Sequence, residues 1–222
     1  MTPEEYKKAI VTISKDTLAL LPAAEFNGEI VVIEDKDKLL EIIPLLRSEK
    51  LLGFDTETRP SFKKGHTYKI ALIQIATRNA VYLIRTNILG YPQELLDILQ
   101  DKDILKVGLS LHDDFHNLRK VVDFKPAGFV DLQSYVKEYK IADNSLSRLY
   151  GILFDKRISK SQRLSNWEAR PLSEAQQAYA ALDALACIKI YDYLQEGGFN
   201  PRESKYLTLP PEPETGKEKE EK

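Results

Sequence analysis

The sequence predicts an α/β protein whose mixed sheet starts as an antiparallel meander and is flanked by helices. Two β-rich runs, "YKIALIQIA" (68–76) and "AVYLI" (80–84), are joined by only Thr77, Arg78 and Asn79, a link short enough to make them antiparallel neighbours. From Pro92 onward, helical and strand patterns alternate as they do in layered α/β domains. The last strong element, "SEAQQAYAALDALACIKIYDYLQE" (173–196), reads as a long helix with Ser173 as its N-cap and Gly197-Gly198 as its stop.

The remaining elements fall between these landmarks. Residues 1–28 read as an N-terminal arm with a weak helix, "EIVVIED" (29–35) as a strand and "KDKLLEIIPLLRSEK" (36–50) as an amphipathic helix. The first strand of the meander lies in "LLGFDTETRP" (51–60), where Leu51, Leu52 and Phe54 form an apolar run that ends in two acids. "PQELLDILQ" (92–100) is helical, "DILKVGLS" (103–110) is a strand, and "HDDFHNLRKVV" (112–122) is a helix. "AGFVDLQSYVKEYK" (127–140) supplies a further short strand and helix. The chain from 208 to 222, ending in "PPEPETGKEKEEK", has almost nothing to bury and is expected to be a disordered charged tail. One domain over residues 29–200 is therefore expected, with no internal repeat.

Composition removes several function classes. A single cysteine, Cys187, excludes an internal disulfide framework and a multi-cysteine zinc site, but leaves oxygen-ligated metals open. The charged opening "MTPEEYKKAI" lacks the apolar core of a signal peptide, and no run of about 20 apolar residues offers a membrane span. These features lead to the expectation of an intracellular, cytoplasmic protein without a membrane partner. A net charge of −2 argues against a broad basic surface that coats nucleic acid.

Three places carry chemistry. Side chains on a strand alternate faces, so Asp55 and Glu57 share one face as a like-charged pair, an electrostatic cost unless a cation binds. In the long helix Tyr179 and Asp183 stand four apart, on one face, among small alanines that let a helix approach a sheet closely. In "KVGLSLHDDFHNLRK" a strand gives way to a helix, where either Asp113 or Asp114 can cap the helix and the other can do chemistry. The stretch "KRISKSQRLSNWEAR" (156–170) holds five basic residues, one acid and Trp167, a mixture suited either to phosphate contacts or to a solvated loop around a packed tryptophan. Phe62, Lys63, Lys64 and His66 after the acidic strand raise the same possibility.

In order, "FDTET", "KVGLSLHDDFHNL" and "YAALDA" resemble the three motifs of the DEDDy family of 3′-5′ exonucleases, over roughly residues 29–196. "RLSNWEARPLSEAQQAYAALDA" is similar to the run before the last motif in the Werner-syndrome-type exonuclease domain. The resemblance implies a ribonuclease-H-like three-layer fold. It also implies metal ligands at Asp55, Glu57, Asp114 and Asp183, with Tyr179 orienting the attacking water. Asp114 is favoured over Asp113 because Gly108 and Leu118 frame it at the family's spacing. Implied with these are two divalent ions, Mg²⁺ or Mn²⁺, bridged by Asp55, and a DNA or RNA 3′ end as substrate, cleaved to 5′-mononucleotides. A catalytically silent nucleic-acid-binding or scaffold domain of the same fold is the alternative, although no carboxylate of the set is missing.

Overall fold

The computed structural model describes residues 1–63, 65 and 67–210. The chain opens with α1 (Pro3–Lys8), β1 (Ile10–Val11) and α2 (Lys15–Leu20), followed by β2 (Glu29–Ile33) and α3 (Lys36–Ser48). The acidic strand β3 (Leu51–Thr58) leads to β4 (Ile70–Ala76) and β5 (Ala80–Ile84). Next come α4 (Thr86–Leu89), α5 (Gln93–Gln100), β6 (Leu105–Gly108), α6 (Leu111–Arg119), β7 (Phe129–Asp131) and α7 (Leu132–Tyr135). The order closes with α8 (Leu146–Phe154), the long α9 (Glu174–Gln195) and β8 (Leu207–Thr208).

Six strands form one sheet in the order β2-β5-β4-β3-β6-β7. β3, β4 and β5 are the expected antiparallel meander, while β2 on β5, β6 on β3 and β7 on β6 pair in parallel. Strand alternation sorts β3 between two cores. Leu51 joins Leu72, Ala76 and the apolar side of α8 and α9, whereas Leu52 and Phe54 pack with Leu39, Leu95 and Leu99 of α3 and α5. The result is three layers, with helices on both faces of the sheet.

Gly53 decides how close α9 comes. A Cβ at that position would lie 2.1 Å from the Ala184 carbonyl oxygen, so only glycine lets the helix backbone rest on β3. The alanines around Asp183 complete the approach: Ala180, Ala181, Ala184 and Ala186 are fully buried. Ser173 caps α9 in a reciprocal box with Gln176, and Gly197 ends it with a positive φ of 73°.

Two further parts of the chain pack onto this frame. Helix α8 repeats apolar residues at helical spacing, Leu146, Leu149, Tyr150 and Leu153, and buries Leu149, Tyr150, Ile152 and Leu153 in the α9 core. The N-terminal arm is stitched into the domain: Val11 and Ile13 are buried, and the Asp143 carboxylate accepts from the Ile13 amide and the Thr12 hydroxyl, both at 2.9 Å. Ile10 and Val11 also pair antiparallel with Thr208 and Leu207, so the ordered chain reaches into the first residue of the expected tail. Residues 211–222, the rest of that tail, lie outside the described residues.

Candidate active site

The carboxyl end of β3 runs past the end of its neighbour. β6 pairs with β3 only as far as Gly53 opposite Val107, whereas β4 continues alongside Asp55 and Glu57. A crevice therefore opens beyond β6, as it does at strand ends in other α/β sheets. Asp55 and Glu57 share the parity of Gly53 and so face α9, where Asp183 precedes the Ala184 that touches Gly53. One oxygen each of Asp55, Glu57 and Asp183 lie within 4.8 Å of one another. Asp183 Oδ1 is buried with no hydrogen-bond partner among the described residues. A buried, unsatisfied anionic oxygen beside two further acids fits a divalent cation held by hard oxygen ligands.

The electrostatics agree with that fit. Burial pushes the Glu57 carboxyl up to about 9, with Asp183 and Asp114 adding repulsion and Arg163 pulling weakly the other way. Burial raises Asp183 to about 7, partly offset by the Tyr179 hydroxyl and by Lys160. Asp55 is pushed well above the ordinary carboxylate range, first by burial and then by Asp183, Asp114 and Glu57. Such a cluster holds protons in place of cations until cations arrive.

Asp114 lies on the opposite side of β3, outside the group of three acids but close enough for its charge to raise Asp55 and Glu57. Thr56, whose side chain alternates away from Asp55 and Glu57, donates its hydroxyl to the Asp114 carboxylate. Burial lifts Asp114 to about 6, and the Thr56 hydroxyl opposes the rise. Asp113 instead points to solvent, with its side chain 87% exposed beside His112. The expectation that the second aspartate caps α6 is not met, because Asp131 of β7 does so by accepting the Ser110 and Leu111 amides at 3.0 Å each. Asp113 falls inside the first turn of α6, where it meets the helix dipole and the exposed His112 ring, 3.2 Å away. Asp113→Asn is thus expected to cost only ~0.3–1 kcal/mol of stability and leave activity near wild type, whereas Asp114→Asn should remove turnover. Rates on a labelled strand together with melting curves compare the pair, and a reversed ranking would mean that Asp113 is the functional acid.

Tyr179 stands one turn before Asp183 on α9, half-buried, with its ring 5.9 Å from the fully buried Trp167. Burial and the three acids raise its phenol above the ordinary value, so the hydroxyl stays protonated and acts as a donor. Trp167 belongs to the basic stretch, and the structure divides that stretch into two sets of cations. Arg157 donates to the Leu21 carbonyl and Arg170 pairs with Glu34, so both are structural. The buried Arg85 also holds the loop, donating to the Ala169 carbonyl at 2.6 Å. Lys160 and Arg163 are exposed, and their charges favour ionised Asp183 and Glu57 respectively. Phe62, 88% exposed, and Lys63 line a cleft of about 720 Å³ with Arg59, Tyr68, Leu164 and Asn166, while Lys64 and His66 lie outside the described residues.

Comparison with known proteins matches this arrangement. The 3′-5′ exonuclease family signature covers residues 30–197. The chain is 35% identical over 184 residues to the mouse bifunctional 3′-5′ exonuclease/ATP-dependent helicase WRN, covering 78% of this chain and 13% of that protein. It is 31% identical over 170 residues to ribonuclease D of Gluconacetobacter diazotrophicus, covering 75% of this chain and 42% of that protein. The chain thus spans less than half the length of either relative. Among solved structures, the Nibbler EXO domain of Aedes aegypti superposes with a TM-score of 0.71 at 24% identity, over 82% of this chain and 97% of that one, a likeness of fold. With its three-layer ribonuclease-H-like sheet and its acids gathered at the end of β3, the chain belongs to the 3′-5′ exonuclease domain family.

Proposed function

We propose that the protein is a metal-dependent 3′-5′ exonuclease of the DEDDy type, releasing 5′-mononucleotides from nucleic-acid 3′ ends. The observation that carries this reading is the convergence of Asp55, Glu57 and Asp183 around an unsatisfied buried oxygen, with Asp114 held beside them by Thr56. Asp55, Glu57, Asp114 and Asp183 would hold two divalent ions, Mg²⁺ or Mn²⁺, with Asp55 central because its charge meets all three other acids. When bound, the ions supply an acidified water and charge neutralisation at the scissile phosphate.

The chain's own residues set the geometry of attack. The Tyr179 hydroxyl gives its one proton to Asp183, so its oxygen would accept a hydrogen bond from the water and orient it, while Trp167 packs against the ring. Water adds to the terminal phosphorus, the bond to the neighbouring 3′ oxygen breaks, and that oxygen leaves with a proton on the shortened strand. Lys160 and Arg163, exposed and close enough for their charges to act on Asp183 and Glu57, would meet the phosphates of a strand entering the site. Tyr179→Phe removes one guiding hydroxyl and leaves every carboxylate, so the rate should fall about 10²–10³-fold with metal affinity and fold retained. A wild-type rate in that variant would assign Tyr179 to packing.

The substrate class is a DNA or RNA strand with an accessible 3′ end, a choice that rests on contacts to the 2′-hydroxyl. The reducing, cytoplasmic setting proposed for it is supported by the free, buried Cys187, and no helix among the described residues is long and apolar enough to cross a membrane. The test offers 5′- and 3′-labelled DNA and RNA, as single strands and recessed duplexes, with Mg²⁺, Mn²⁺ or chelator. Stepwise shortening of 5′-labelled strands with metal, and none in chelator, is the expected result. Binding without shortening in either metal would establish the silent-scaffold alternative.

A further inference from the structure

Gln74 lies in the middle of β4 with no exposed surface, on a strand whose other residues, Ile70, Ala71, Leu72, Ile73, Ile75 and Ala76, are all apolar and buried. Neither its Nε2 nor its Oε1 has a hydrogen-bond partner among the described residues. An amide buried without partners costs ~1–3 kcal/mol, which an apolar side chain of the same volume would avoid. Packing alone therefore does not account for glutamine here.

The strand register places it. Gln74 is directly opposite Asp55 in the antiparallel β3–β4 pair. Opposed residues project from the same face, with Cβ atoms about 4.5–5.5 Å apart. That face is the one under α9: Gly53 meets the Ala184 carbonyl, and Leu72, Ala76 and Leu83, the residues flanking Gln74 on β4 and paired with it on β5, all belong to the α9 core. The amide thus sits one strand away from the Asp55 carboxylate, within the span of its own side chain. Asp55 receives the Thr56 amide but, among the described residues, no side-chain donor.

We infer that Gln74 is a positioning residue for Asp55: its Nε2, without a partner in the geometry described above, turns to donate to the Asp55 carboxylate across the strand pair when divalent ions engage that carboxylate, and so fixes the orientation in which it is held. A carboxylate only accepts, so the amide presents nitrogen rather than oxygen to it. An uncharged donor suits the place because a lysine or arginine would neutralise the acid and compete with the ions. The inference rests on the proposed two-ion reading of the site.

Gln74→Met keeps length and removes both polar atoms. In chelator it should melt at or above the wild-type temperature, because an unsatisfied amide is gone. Its Mn²⁺ dissociation constant, measured by calorimetry without substrate, should rise about 10–100-fold, the usual effect of losing a residue that orients a metal ligand. A packing role predicts the opposite pattern, a lower melting temperature with unchanged Mn²⁺ affinity, and that result would overturn the inference. A second measurement needs no change at Gln74. The side-chain amide signals of Gln74, assigned through bonds in ¹⁵N-labelled wild type, should move as Mg²⁺ saturates the protein, and signals that stay in place while Mg²⁺ binds would overturn the contact. If wild type itself takes up neither Mn²⁺ nor Mg²⁺, the two-ion reading falls and the inference falls with it, whereas metal uptake with unchanged affinity in Gln74→Met overturns the inference alone.

Discussion

Asp183→Asn is expected to slow hydrolysis by at least about a thousandfold, the scale set by several kcal/mol of lost charge stabilisation at a metal site. The same substitution should raise the melting temperature in chelator, an unusual sign for a change at a buried residue. Its cause is repulsion among oxygens within 4.8 Å of one another. At an effective dielectric near 20, two such charges cost roughly 3 kcal/mol before proton uptake relieves part of it. Asparagine keeps the shape, removes one charge and offers a donor to the remaining carboxylates. Wild type should gain about 2.7 kcal/mol from Mg²⁺ or Mn²⁺ at a hundredfold excess over the dissociation constant. That corresponds to roughly 5–10 °C for a domain of this size. The variant should gain much less. Paired melting curves at fixed ionic strength read both effects, and an equal metal shift in the two proteins would remove Asp183 from the ligand set.

The second large effect is on stability as a function of pH. Glu57, Asp183 and Asp114 titrate in the folded protein at about 9, about 7 and about 6, against ordinary values of 4.5, 3.8 and 3.8. Between each pair of values the folded state binds a proton that the unfolded state has lost, so stability falls as pH rises. This contribution is fully present below the unfolded values and is lost as pH climbs through the folded ones. In chelator the melting temperature should therefore drop between about pH 5 and about pH 9, by about 2–4 °C for every kcal/mol lost. Saturating Mn²⁺ should flatten or reverse the slope, because the ions take the place of the protons. Equal slopes with and without metal would show that these acids are not where the cations bind.

Much of the candidate site is legible in local sequence because its geometry follows from local periodicity. A two-residue spacing on a strand puts Asp55 and Glu57 on one face, and a four-residue spacing on a helix does the same for Tyr179 and Asp183. The meander and the long helix with its Ser173 cap were equally readable, since a short link and a capping residue act over a few positions. The docking of the N-terminal arm was not, because it depends on a distant surface: the Ile13 amide is held by the carboxylate of Asp143.

Within the site, the boundary runs between adjacent residues. Spacing paired Asp55 with Glu57 and Tyr179 with Asp183, and the motif resemblance implied that these acids would gather with Asp114, but the asymmetry between Asp113 and Asp114 is visible only where α6 is set against β3. There Thr56 holds one and solvent takes the other. The cap on α6 comes from Asp131, 20 residues beyond Leu111, and the placement of Gln74 opposite Asp55 depends on a register set across the segment between β3 and β4. Periodicity is a property of the backbone and is written in neighbouring residues. Burial, register and the choice of hydrogen-bond partner are properties of surfaces brought together from far along the chain, and only the tertiary structure decides them.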